Sequence, residues 1–122
     1  MHKAVFALLL LAPVSALQAQ NMPVSEFLAK VEALKKKGPM ALFSSDIKLL
    51  KAEVQNSGKQ FRAEQAALKN AGKKPVACLP EKAATDSDEI VAHFSSIPPQ
   101  QRSMPVKTAF AALMRKKFPC PA

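Results

Sequence analysis

With 122 residues, a formal net charge of +9, two cysteines and neither Trp nor Tyr, the chain has room for one small domain with an electrostatic pull on anionic partners. The charge does not make it a nucleic-acid binder. The stacking aromatics that such surfaces interleave with their cations are missing, and the Phe residues fall at core spacing.

Met1-His2-Lys3 and the apolar run from Ala4 to Leu11 form the pattern of a cleavable export signal. The run is too short to cross a bilayer, which needs roughly 20 apolar residues, and Pro13, Ser15, Gln18 and Gln20 interrupt it. Two small-residue cleavage sites compete, after Ala16 and after Ala19. The second leaves a polar start, so residues 1–19 are assigned to the signal and 20–122 to the domain. An N-terminal core helix is the competing reading, but nothing supplies its polar face. No cysteine stands near either site, which argues against a lipoprotein anchor. A periplasmic or secreted protein with no integral membrane segment after cleavage is expected. Only Lys3 among the charged residues would be lost. The remaining charge is uneven: residues 20–74 hold 11 basic and 5 acidic side chains, residues 75–122 hold 6 and 4.

Four amphipathic segments follow, and none alternates with period two long enough to read as a strand. The expected fold class is all-α: a small single-domain bundle of about four helices, one of them long, closed by a disulfide. The first helix begins near Pro23, a residue suited to a first turn. Phe27, Val31 and Leu34 line its apolar face, Lys35-Lys36-Lys37 complement its C-terminal dipole, and Gly38-Pro39 stops it.

The long helix spans about Ser44 to Asn70, with Ile47, Leu50, Val54, Phe61 and Leu68 in one stripe. Lys48, Lys51, Lys59, Arg62 and Lys69 flank the stripe on one side, and Asp46, Glu53 and Glu64 on the other. The helix thus has a basic and an acidic edge. A break at Asn56-Ser57-Gly58, giving a helical hairpin, is the alternative, since Gly costs about 1 kcal/mol against Ala inside a helix. Ala52, Ala63, Ala66 and Ala67 lie around the back, as plain helix formers or as a place for close helix approach.

Asn70 to Pro75 reads as a turn leading to Cys78. Asp86 with Glu89 three residues later resembles a capping box opening a third helix, whose apolar face is Ile90, Val91 and Phe94 and which Ile97-Pro98-Pro99 ends. The last helix opens around Pro105 and carries Val106, Ala109, Phe110, Leu113 and Met114 on one face. Arg115-Lys116-Lys117 finishes it.

Cys78 and Cys120 each sit beside proline, outside the helices. In an oxidising compartment they are expected to pair. A loop of this length is worth about 4 kcal/mol in the chain-entropy account, as an upper figure. Two free thiols are the alternative. Two cysteines and the lone mature histidine, His93, do not make a zinc site.

Catalytic groups are sparse. His93 reads as a packing residue beside an apolar helical face, and the Asp86-Asp88-Glu89 cluster is explained by capping and the helix dipole. Gly38, Gly58 and Gly72 are isolated, so no phosphate-cradling loop exists. No enzyme, metal or cofactor is expected.

From Val76 onward the order of landmarks resembles the Rap/Tai family of immunity proteins, small exported proteins that neutralise peptidoglycan amidase toxins delivered by type VI secretion. Cys78-Leu79-Pro80 matches the family's Cys, aliphatic, Pro start. A short helix ending at Ile97-Pro98, the basic Arg102, a helix with Ala112-Leu113 and the closing Phe118-Pro119-Cys120 follow in order. The resemblance implies an all-α domain with the same disulfide and a toxin as partner. Many members carry further cysteines in the first half, and this chain has none, which leaves the partner open to being another envelope protein. The basic edge, Lys48, Lys51, Lys59, Arg62 and Lys69, is the candidate contact surface. The second functional class is a periplasmic envelope-stress or chaperone-like protein of the same small disulfide-linked helical type. Binding of anionic lipid or wall polymer through the lysines is a third, and a solvated lysine surface without a specific partner remains the bland alternative. A homo-oligomer is compatible with all of these.

Overall fold

The structure, a computed structural model, describes residues 21–82 and 85–122; the expected export signal over residues 1–19 lies outside them. Over the described residues the fold is all-α, with four helices and two 3-10 turns in the order α1 (Val24–Lys37), a 3-10 turn (Gly38–Phe43), α2 (Ser45–Asn70), α3 (Ser87–Ser95), a 3-10 turn (Pro99–Gln101) and α4 (Val106–Lys117).

Local chemistry sets most of the boundaries. Pro23 and Pro105 are extended and sit immediately before α1 and α4 rather than inside them. Both lack an N–H, and they face each other in an isolated antiparallel bridge. Its hydrogen bonds are made by their neighbours: the Val24 N–H donates to Met104 O at 3.0 Å and the Val106 N–H to Met22 O at 2.8 Å. Two helix starts thereby satisfy donors that would otherwise be orphaned. At the end of α1, three lysines precede Gly38, whose φ of 57° is open to glycine at little cost.

Ser44 Oγ accepts from the Asp46 N–H at 3.3 Å to cap α2. The helix then runs unbroken for 26 residues through Gly58, which excludes the hairpin reading. Gly58 lies against Phe110 with ordinary room for a Cβ, 3.7 Å from the ring edge, so the helix passes through it without strain.

The capping box at α3 is half formed. Asp86 Oδ1 accepts from the Glu89 N–H at 2.8 Å, but the Glu89 carboxylate turns instead to Lys117 Nζ at 2.6 Å, tying α3 to the end of α4. The C-terminus of α3 is closed by Arg102, which donates from Nε to Ile97 O at 2.8 Å and from Nη2 to Ser95 O at 3.0 Å. Arg102 is therefore a capping cation at a helix C-terminus.

The core gathers Val24 and Phe27 of α1, Leu50 and Phe61 of α2, Ile90 and Phe94 of α3, and Val106, Ala109, Phe110, Leu113 and Met114 of α4. Phe27 meets Phe94 edge to face, with ring centroids 5.2 Å apart. On α2 the buried face is turned from the apolar stripe toward the acidic edge. Leu50 and Phe61 are buried along with Glu53, Ser57 and Gln65, while Ile47, Val54 and Leu68 are only half-buried. Ala52, Ala63, Ala66 and Ala67 are all exposed, so they act as helix formers and not as a close-approach face.

Cys78 and Cys120 are bonded, with their Cα atoms 4.8 Å apart and a sequence separation of 42. The Cys78 N–H also donates to Phe118 O at 2.9 Å. The bond closes α3 and α4 into one loop. Chain-entropy reasoning makes it a major share of the stability of so small a domain. Replacing both cysteines with alanine is expected to lower the unfolding free energy by about 2–4 kcal/mol in a urea titration; a loss under about 0.5 kcal/mol would show that helix packing alone holds this half.

Candidate functional site

The cationic edge of α2 is real and continuous. At 100° per residue Lys48, Lys51, Lys59, Arg62 and Lys69 share an arc of about 80°, along about 30 Å of helix. All five are exposed. The first three stand clear along the helix.

Arg62 and Lys69 do something different. With Ala66, Pro75, Cys78 and Leu79 they border a shallow groove of about 240 Å³ between α2 and the cysteine segment. Arg62 Nη2 donates to Pro80 O at 2.9 Å, and the neighbouring Gln65, which is buried, accepts from the Val76 N–H at 2.8 Å. Residues 75–80 have no regular secondary structure, so their backbone groups need such partners. Arg62 is thus part of the scaffold as well as part of the charge pattern. Its role was not legible in the sequence because its acceptor lies 18 residues away across a turn.

The other singled-out groups resolve into structural roles. His93 is half-buried with Nε2 3.1 Å from Ala109 O. A carbonyl only accepts, so this contact places the proton on Nε2. Among the described residues no three His, Cys, Asp or Glu side chains gather as a metal would require, and Asp86 and Glu89 are engaged as described above. No helix of the described chain is long and apolar enough to cross a membrane.

Two features escaped the sequence reading. The first is a polar layer in the core of α2. Glu53 is only 3 % exposed, although its helical position places it on the acidic edge. Burial pushes its carboxyl pKa up, and the nearby Glu26 charge pushes the same way, against a backbone hydrogen bond from Met22 that favours the ionised form. Ser57, also buried, donates to Glu53 O at 2.8 Å. The second feature is the 3-10 turn between α1 and α2, where Met40, Leu42 and Phe43 are 66 %, 78 % and 83 % exposed. Its signal was available: a run of apolar residues directly after a helix stop, with no helical partners.

Compared with known proteins, the chain matches no family model, and neither a curated protein nor a solved structure is detectably similar to it.

The buried Glu53 has a pH signature. A carboxyl whose pKa is raised on folding binds more protons in the native state, so its unfavourable contribution grows as pH rises from the ordinary carboxylate range through the raised native value, and is constant above it. Glu53→Gln keeps an acceptor for the Met22 amide and removes the charge. It is expected to raise the denaturation midpoint at neutral pH and flatten the decline across that window, measured as urea midpoints from pH 4 to 8. A midpoint lowered at neutral pH but not at pH 4 would mean that the charge itself is stabilising.

Proposed function

We propose that the chain is an exported binding protein of the immunity type, which neutralises a cell-wall-degrading peptidoglycan amidase by covering its active-site cleft and performs no catalysis of its own. The observation that carries this reading is the exposed cationic edge of α2 on a domain held by a disulfide between Cys78 and Cys120. The ordered landmarks from Val76 to Cys120, which resemble the Rap/Tai immunity proteins, supply the functional class.

Occlusion requires a surface that does not have to be ordered on binding. The arrangement meets that need: α2 is continuous, Arg62 and Gln65 pin the cysteine segment to it, and a preorganised surface loses less conformational entropy in a complex. A row of lysines over about 30 Å also accelerates encounter with an acidic surface more than it tightens the final complex. Export and a periplasmic site of action belong to the same proposal, since the disulfide requires an oxidising compartment to form and persist.

Two measurements test it. Expression of the protein with its export signal is expected to protect cells from lysis by a periplasmically delivered cognate amidase, one encoded beside it being the first to try. Unprotected cells carrying folded, exported protein would reject the reading. Within a complex so identified, Lys51, Lys59 and Lys69 changed together to Glu are expected to slow association by at least tenfold at low salt with little change in dissociation. Arg62 is left intact in that variant because its change would also release Pro80. An unaltered association rate would move the contact surface off this edge.

A further inference from the structure

The apolar turn between α1 and α2 is unexplained by packing or by the cationic edge. Met40, Leu42 and Phe43 project from the apex of a helical hairpin, while Ala41 between them is half-buried and anchors the base. The apex is fixed from both sides. Lys30 Nζ of α1 reaches Asp46 Oδ1 of α2 at 3.4 Å, Lys37 Nζ donates to Ser44 Oγ at 3.4 Å, and the Ser44 N–H donates to Ala41 O at 3.0 Å.

Around the apex the charge is cationic. Lys35, Lys36 and Lys37 fill the last turn of α1, and Lys48 lies one turn into α2. The two nearest carboxylates are already engaged, Glu32 with Lys35 at 3.6 Å and Asp46 with Lys30. Among the described residues no carboxylate lies within ion-pair distance of Lys36, Lys37 or Lys48.

We propose that this apex, Met40, Leu42 and Phe43 within a collar of Lys36, Lys37 and Lys48, is a docking point for the surface of an anionic lipid bilayer. Three large apolar side chains at a convex tip seat in the acyl boundary, and the collar meets the headgroup phosphates. Lysine is the cation that suits this place: its long apolar stem lies along the inserted tip while its ammonium stays in the polar layer. Protein interfaces show the opposite preference, being depleted in Lys and anchored on Trp, Tyr and Arg in concave pockets. A bilayer also needs no shape complement to a convex tip. Each apolar anchor and each basic residue contributes a modest increment, so attachment is reversible and sensitive to salt. The inference does not rest on the immunity reading.

The chain contains neither Trp nor Tyr, so Phe43→Trp introduces a fluorophore with no background. The exported, disulfide-bonded protein carrying F43W, freed of residues 1–19, is mixed with vesicles of phosphatidylcholine containing 30 mol% phosphatidylglycerol, or of phosphatidylcholine alone, in low salt. A blue-shifted emission with the anionic vesicles only, quenched by bromine on the upper acyl carbons, is expected. In the F43W background Leu42→Ser should weaken vesicle binding about tenfold, and Lys36→Gln or Lys48→Gln about fivefold each. All of these side chains are exposed, so thermal unfolding should be unchanged and any loss is a loss of binding. Emission unmoved by anionic vesicles overturns the proposal. So does vesicle binding that is lost with the lysines but indifferent to L42S, which would show lysine adsorption without insertion. A shift produced by an acidic protein partner and not by vesicles would reassign the apex to a protein contact and equally overturn it.

Discussion

Helix α4 must be held at both ends for the fold to exist. Its apolar face is broad, with Val106, Ala109, Phe110, Leu113 and Met114 all buried, yet it is 12 residues long, a length at which a helix is marginal without tertiary support. The support arrives as irregular backbone from elsewhere in the chain. At its start the Pro23–Pro105 bridge works because the two prolines occupy the bridge position whose own N–H groups are not used. The donors are Val24 and Val106, one residue on. Proline, usually excluded from a ladder, is here the residue that loses nothing. At its end Phe118 O accepts from the Cys78 N–H, and the disulfide holds that contact in place.

The same economy governs residues 75–80. A segment without regular structure can be buried against a helix only if its backbone groups find partners. A side-chain amide and a guanidinium on consecutive turns of α2 supply them, from Gln65 and Arg62. The buried face of α2 is therefore not its apolar stripe alone. Gln65 is buried at the edge of the stripe nearest Arg62, and Ser57 and Glu53 are buried on its acidic side, so polar groups enter the interior on both flanks of the stripe. Ile47, Val54 and Leu68 remain half-buried, while a raised-pKa carboxyl is enclosed on the acidic flank. Polar satisfaction has prevailed over strict apolar burial, with conformational specificity of the cysteine segment as the return.

How much of this was legible in the residues follows from the range of the signals. Helix α1, the unbroken α2, the Asp86 cap and the apolar face of α4 are written in spacings of a few residues, and they were readable; the disulfide was readable because the chain has only two cysteines to pair. The Pro23–Pro105 bridge, the Arg102 cap on α3, the Glu89–Lys117 pair and the Gln65 contact all join groups that sequence places apart, or that have several equally good local uses. Glu89 shows the limit: at its position a capping box predicts a bond back to the start of its own helix, and a lysine 28 residues on competes successfully for the same carboxylate. The cationic edge was readable as a pattern of charge. Its division into free lysines and a scaffold arginine was not, because only the fold says which guanidinium has a carbonyl in reach.

That division has a spatial consequence. The apolar apex precedes the N-terminus of α2 and the Arg62–Lys69 groove lies near its C-terminus, on a helix of 26 residues and so roughly 39 Å long. The Debye length at physiological salt is about 8 Å, so the two regions do not feel each other's bound charge and can be occupied independently. The link between them is mechanical: α2 is the strut, clamped at one end by the Lys30–Asp46 pair and at the other through Gln65 to the disulfide-bonded loop. A long continuous helix holds the Arg62–Lys69 groove at a fixed distance from the apolar, lysine-collared tip. Breaking α2 at Gly58 would preserve every one of those side chains and destroy the spacing, which is the physical reason continuity through that glycine matters to both proposed contact regions as well as to the fold.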